Sequence, residues 1–168
     1  RGKVIGGSSA IHAMGHMRGH PGDFDAWVAA GAIGWDYEGL LPYFMKSESS
    51  PFAGELGYGA DGPLPLQLPT SSHPLSLAHI EAGVSLGLPR LRDHNSGQMT
   101  GATLNTMTIR NGQRVSVADA YLDSSVRARP NLSILTERMV DQVIFDGFMR
   151  AKGIITAKGA THLARFGV

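Results

Sequence analysis

The side chains with the greatest chemical reach near the start of the chain are three histidines, His12, His16 and His20, spaced four residues apart. On an unbroken helix they would share one face, as metal-binding imidazoles do. Gly15 and Gly19 weaken such a helix and Pro21 closes it. No carboxylate stands at ligand spacing, so no metal is expected. Arg114 and Ser116, just ahead of Ala118-Asp119-Ala120-Tyr121-Leu122, could hold an anion or cap a helix, and capping is the stronger reading. Asp93-His94-Asn95 are consecutive, so their side chains diverge and they read as a polar turn. No Ser-His-Asp arrangement follows from spacing.

What remains is a site made of backbone. Gly6 and Gly7 remove two adjacent Cβ atoms, which opens φ > 0 and lets another group lie against the chain. Ser8 and Ser9 suit a helix start, and Ala10-Ile11-His12-Ala13-Met14 is expected to wind as helix. A loop of this kind feeding a helix presents free N–H donors and a partial positive charge, which suits an anionic or electron-rich ligand.

The elements that would carry this loop are legible in part. Asp23 is expected to cap a helix over 23–30 with Phe24, Trp27 and Val28 on one face, stopped at Gly31. Asp36 should cap a second helix carrying Leu40, Leu41 and Phe44, and the aromatics of both helices are expected in the core. Residues 49–62 read as loop, and 63–68 as an edge strand, where proline is tolerated. A helix is expected over 76–86, a strand over 101–109, a hairpin turn at Asn111-Gly112 and a helix from Ser116. The last third reads as a meander: strands at 131–136, 139–145, 150–156 and 161–168, with turns at Asp146-Gly147 and Lys158-Gly159.

Composition narrows the class. Of 168 residues, 42% are hydrophobic and 17% charged, so the chain is globular rather than disordered. The net charge of +1, without a basic run, argues against nucleic acid as a partner. No apolar run approaches the roughly 20 residues of a membrane helix. The absence of cysteine excludes disulfides, thiolate catalysis and Cys-ligated metal. The chain opens on Arg1, already inside its most informative motif, and is expected to be an internal piece of something longer.

Taken together, the motifs resemble the glucose–methanol–choline (GMC) family of FAD-dependent oxidoreductases, nearest to its bacterial alcohol and choline dehydrogenases. Arg1 to Gly19 follow the family pattern Arg-Gly-Lys-x-x-Gly-Gly-Ser-Ser-x-x-Asn-x-Met-x-Tyr-x-Arg-Gly at nearly every position. The likeness continues through Asp23-Phe24-Asp25-Ala26-Trp27, Gly34-Trp35, Leu41-Pro42-Tyr43-Phe44 and Gly62-Pro63-Leu64. It runs on through Gly87-Leu88-Pro89, Asn111-Gly112-Gln113-Arg114, Ala118-Asp119-Ala120-Tyr121-Leu122 and Arg129-Pro130-Asn131-Leu132.

The resemblance implies an α/β fold: part of a Rossmann-like FAD-binding domain with a β-meander, and the start of an antiparallel-sheet substrate domain, α+β within this chain. Residues 1–48 would be the flavin-attachment loop and lid, 49–62 a linker, 63–129 a partial substrate domain and 130–168 the meander of the FAD domain. It further implies that Val4, Gly6, Gly7 and Ser8 approach the FAD. His12, Ala13, Met14 and Gly15 would line the isoalloxazine, partly through backbone N–H groups, and Val140 would meet the adenine through its main chain. Two positions depart from the pattern: His12 replaces Asn, where it could tune the flavin, and His16 replaces an aromatic. Ile11 stands where members with a covalent flavin carry the linking His, so the flavin is expected to be non-covalent.

The implied activity is oxidation of a primary alcohol, choline-like or other, to an aldehyde with hydride passing to flavin, and dioxygen or a quinone as electron acceptor. The implied location is the cytoplasm, or a membrane surface through the acceptor. The catalytic His is expected in a C-terminal part outside this chain, so no catalytic residue is assigned here. The dinucleotide fingerprint is expected upstream. A non-redox relative of the hydroxynitrile lyase kind and a non-catalytic module are the alternatives.

Overall fold

His-Pro occurs twice, at His20-Pro21 and His73-Pro74, and each pair starts a helix in the computed structural model, which describes residues 1–164. Proline at the first helical position needs no N–H partner and arrives with helical φ. The histidine before it is held extended, and its ring nitrogen Nδ1 accepts from the amide two residues on: Gly22 N at 3.0 Å and Leu75 N at 3.2 Å. Helix α1 therefore spans Pro21–Ala29 with His20 as its cap, not Asp23. Asp23 instead closes the box by accepting from His20 N at 3.1 Å.

Helix α2 (Tyr37–Ser47) is capped by Asp36, as expected, and runs through Pro42. Helix α3 is Pro74–Ser85, and α4 (Val117–Tyr121) is capped by Ser116 in a box with Asp119. A short turn of helix, α5 (Ser124–Arg127), follows.

By contacts the chain forms two compact units, the first Arg1–Val126 and the second from Arg127. In the first, β1 (Glu48–Ser49) lies parallel to β2 (Leu64–Pro65), and β3 (Ile109–Arg110) pairs with β4 (Gln113–Arg114). Asn111 and Gly112 turn that hairpin with φ of 51° and 75°. The expected strand over 101–109 forms no continuous ladder. Met107 bridges Gly15 on one side and Gln67 on the other, and Ala102 bridges Arg90, so each partner crosses this segment once and leaves.

The apolar core of this unit is small: Phe24, Phe52, Tyr58, Leu66, Leu91, Val115 and Ala118 are buried. The aromatics do not all join it. Phe24 is buried, but Trp27, Trp35 and Tyr43 are 49%, 54% and 68% exposed. The tryptophans extend a chain of ring contacts outward, Phe24–Trp27 at 5.1 Å and Trp27–Trp35 at 6.3 Å.

The second unit is an antiparallel sheet in the order β5 (Val140–Phe145), β6 (Ala151–Thr156), β7 (Thr161–Leu163). The link between β5 and β6 is longer than a two-residue turn. Asp146 N bonds to Arg150 O, Met149 takes φ of 61°, and the Asp146 carboxylate accepts from Phe148 N and Arg150 N. Segment 131–136 is not a strand: Leu132 N turns back to Arg129 O, and the following residues join no ladder among the described residues. Residues 165–168 of the expected fourth strand lie outside the described residues.

Candidate functional site

Val4 O accepts from Gly7 N at 2.9 Å, which bends the chain into a turn, and Gly6 and Gly7 both take positive φ, 89° and 56°. A 3-10 turn over Gly7–Ala10 follows. The α-helix expected over 10–14 does not form, and the cause is local. The His12 ring nitrogen Nδ1 accepts from Met14 N at 2.9 Å, and Met14 sits at φ of 65°. This side-chain turn competes with helix, and a left-handed residue ends it. The chain then runs extended: Thr108 N donates to Met14 O at 2.8 Å and His16 N to Thr106 O at 2.8 Å.

One face of this loop is bare. A Cβ built on Gly7 would meet nothing within 4 Å, and one on Gly15 would only reach the Asn105 amide at 4.0 Å. The amides of Ala13 and Gly15 have no hydrogen-bond partner among the described residues. Val4 and Ile11 are 56% and 61% exposed.

The other face is tied down. A Cβ on Gly6 would press on Ser116 and Ala118 at 3.1 to 3.3 Å. Ser9 Oγ donates to Gly6 O at 2.5 Å and accepts from Val117 N at 2.9 Å. Arg114 reaches across from β4, and its Nη1 donates to His12 O at 2.6 Å and to Ser9 O at 3.3 Å. Of the two uses the sequence allowed for Arg114 and Ser116, Ser116 caps α4 and Arg114 binds loop carbonyls.

Immediately downstream the chain enters a buried polar network. Arg18 Nη2 pairs with Glu48 Oε1 at 2.7 Å, with side chains 2% and 1% exposed. Glu48 also binds His16 Nε2 at 3.2 Å and accepts from Gly59 N at 3.1 Å. Arg18 donates to Gly57 O at 2.9 Å and lies over the rings of Phe44 and Tyr58. Its amide donates to Asn95 Oδ1 at 2.7 Å, and Tyr58 donates to Asp93 Oδ1 at 2.6 Å.

Burial pushes the Glu48 carboxyl up, but the His16 hydrogen bond, the Gly59 amide and the Arg18 charge outweigh it and hold it below the ordinary carboxylate range. Burial, then the hydrogen bond to Asp93, pushes the Tyr58 hydroxyl well above the ordinary phenol range. The three histidines thus do three different things: His12 makes a turn, His16 binds Glu48 and His20 caps α1. No cluster of potential metal ligands occurs among the described residues.

Val4, Gly6, Gly7, Ser8, His12, Ala13, Met14 and Gly15 are together in one loop of the first unit. Val140 belongs to the second unit, where it opens β5 opposite Thr156 and is 47% exposed. Sequence reasoning missed the partners of Arg18 and Arg114. For Arg18 the available signal was an arginine inside the opening motif. For Arg114 it was the Asn-Gly turn, which aims the next strand back across the loop.

The family model described as GMC oxidoreductase matches residues 1–167. A pyridoxine 4-oxidase from Microbacterium luteolum is 54% identical over 138 residues, 81% of this chain and 27% of the relative. The mitochondrial choline dehydrogenase of Homo sapiens is 41% identical over 165 residues, 98% of this chain and 27% of the relative. The crystal structure of pyridoxine 4-oxidase from Mesorbium loti superposes with a TM-score of 0.90 at 48% identity, covering 98% of this chain and 33% of that one. The chain spans about a quarter of the length of the curated relatives it matches. The helices and small sheets agree with part of an α/β fold, and with a family match along nearly its whole length the chain belongs to the GMC oxidoreductases.

Proposed function

We propose that this chain is the flavin-cradling part of an enzyme that oxidises a primary alcohol to an aldehyde. The N-terminal domain of the family binds FAD. The observation that carries the reading is the bare face of the loop. Gly7 leaves space where a side chain would stand, and the Ala13 and Gly15 amides are unpaired among the described residues. A flat ring that takes on negative charge as it is reduced can lie close against such a surface and meet its N–H donors.

When bound, FAD supplies the hydride acceptor. The chain's own residues supply shape and donors. Val4, Gly6, Gly7 and Ser8 approach the cofactor. His12, Ala13, Met14 and Gly15 border the isoalloxazine, with Ala13 and Gly15 offering N–H groups. Val140 offers its main chain to the adenine. Residues 1–48 serve as attachment loop and lid, 49–62 as linker, 63–129 as part of the substrate domain and 130–168 as the meander of the FAD domain.

The substrate is a small alcohol, and the names of the relatives, pyridoxine and choline, set the first two to try. Dioxygen and a quinone are the two candidate acceptors. No helix among the described residues is long and apolar enough to cross a membrane. The reading places the enzyme in the cytoplasm, at a membrane surface if the acceptor is a quinone. The full-length protein should carry a flavin spectrum that an alcohol bleaches under argon. Air or a soluble quinone should then restore it, and which of them does so identifies the acceptor. A full-length protein that never takes up FAD refutes the proposal.

A further inference from the structure

We infer that Arg114 is a positioning residue for the flavin, acting through the peptide unit between His12 and Ala13. The inference rests on the flavin reading above and assigns a role to a side chain outside the loop itself. A trans peptide holds its C=O and N–H on opposite sides. Arg114 Nη1 donates to the His12 carbonyl at 2.6 Å, so the Ala13 N–H of the same unit is directed away from Arg114. That N–H has no partner among the described residues. A cationic donor on the oxygen polarises the unit and strengthens its N–H as a donor. The same guanidinium nitrogen reaches Ser9 O at 3.3 Å, so one side chain fixes both ends of the turn that precedes Met14.

None of the salt bridges among the described residues includes Arg114. Its neighbours are two carbonyls and the His12 ring nitrogen at 3.4 Å. The positive charge therefore lies beneath the loop whose opposite face would carry the flavin. Charge arriving on the ring during reduction would be stabilised through the peptide and by the field of the guanidinium. A purely structural arginine would hold the loop yet leave the electron affinity of the flavin unchanged.

The test uses the full-length holoenzyme with three readouts: the FAD dissociation constant, the flavin midpoint potential and the affinity for sulfite. Sulfite donates its electron pair to flavin N5 and drives negative charge onto the ring, so its affinity reports the local field without turnover. Arg114→Gln keeps a donor for His12 O and removes the charge, whereas Arg114→Lys keeps the charge and cannot span both carbonyls. The loss of a charge-assisted hydrogen bond corresponds to about a tenfold to hundredfold change. Arg114→Gln should weaken sulfite binding by about tenfold or more, lower the midpoint potential and weaken FAD binding. Arg114→Lys should recover most of the potential and sulfite affinity but not the full FAD affinity. If Arg114→Gln does not accumulate, an FAD affinity of Arg114→Lys equal to wild type, or a sulfite affinity of Arg114→Lys weakened about tenfold or more, overturns the inference. Arg114→Gln with wild-type potential and sulfite affinity overturns it while leaving the flavin reading intact. A wild-type protein without flavin overturns both.

Discussion

Replacing Glu48 by glutamine should be among the most damaging single changes available in this chain. The substitution keeps the shape of the side chain and removes its charge. Arg18 would stay where it is, with a side chain 2% exposed and its only carboxylate partner among the described residues gone. Gly57 O and the faces of Phe44 and Tyr58 remain as its neighbours. Neither replaces a full negative charge at 2.7 Å. Breaking a buried ion pair from one side costs about 3–5 kcal/mol, a large part of the roughly 5–15 kcal/mol that holds a domain together. Trp27 and Trp35 are convenient reporters, because Trp27 packs on Phe24, Phe24 on Phe44, and Phe44 lies under Arg18. Urea unfolding followed by tryptophan fluorescence should therefore show the loss.

A double-mutant cycle separates the pair from its surroundings. Removing both charges with Arg18→Met and Glu48→Met should be milder than Glu48→Gln, since a buried pair replaced by apolar residues is often nearly neutral. Recovery should be incomplete, because the Gly59 amide loses its acceptor and an orphaned buried N–H costs about 1–3 kcal/mol. The pH dependence has a definite sign. The Glu48 carboxyl is lowered in the folded state, so its contribution is complete above the ordinary glutamate range and disappears as pH falls through the lowered value. The gap between wild type and Glu48→Gln should be widest near neutrality and close in acid. A loss below about 1 kcal/mol, the range of an exposed pair, would refute the account of this network, as would a double variant worse than the sum of the singles.

Three further outcomes follow from local geometry. Gly7→Ala places a methyl in open space at φ of 56°. It should cost only about 1–2 kcal/mol of stability but weaken FAD binding at least tenfold, and equal FAD titrations for variant and wild type would count against the bare-face reading. His20→Ala removes the cap of α1, with an expected loss of about 1 kcal/mol in the same urea assay, whereas Asp25→Ala, which takes no part in that capping box, should change little. Asp146→Ala should speed amide exchange at Phe148 and Arg150. Those amides, Arg150 first, hold the Asp146 carboxyl below its ordinary range, so wild type should approach the variant only as pH falls through that lowered value.

The features legible in the sequence share one property: their causes lie within a few residues of their effects. Asp36 and Ser116 cap helices because a side-chain oxygen reaches an amide three residues on. Asn111-Gly112 turns a hairpin because both residues tolerate positive φ. Even the misplaced cap of α1 was local, since Pro21 at the first helical position marked His20, and His73-Pro74 repeats the device. The bare loop was legible in part for the same reason: of the two adjacent glycines Gly7 leaves open space, whereas Gly6 lies against Ser116 and Ala118.

What periodicity could not supply is the framework behind that loop. Arg18 meets Glu48 across 30 residues and Asn95 across 77, and Arg114 meets His12 across 102. None of these pairs leaves a hydrophobic pattern, because the groups that meet are charged and amide groups. The helix expected over 10–14 failed for a nearer reason: propensity favoured it, but the His12 side-chain turn onto Met14 N fixed another conformation, whose His12 carbonyl Arg114 then holds from across the unit. In this unit the segments around 16–18, 48, 57–59 and 93–95 meet largely through side-chain bonds rather than extended ladders. Donor and acceptor geometry sets their register where a strand pattern would otherwise do so. The extended run from Met14 to Arg18 is therefore anchored at both ends, by Thr108 on Met14 and by Glu48 and Asn95 on Arg18. A loop with bare backbone on one face has few side chains of its own for support, so its anchoring comes from such distant partners.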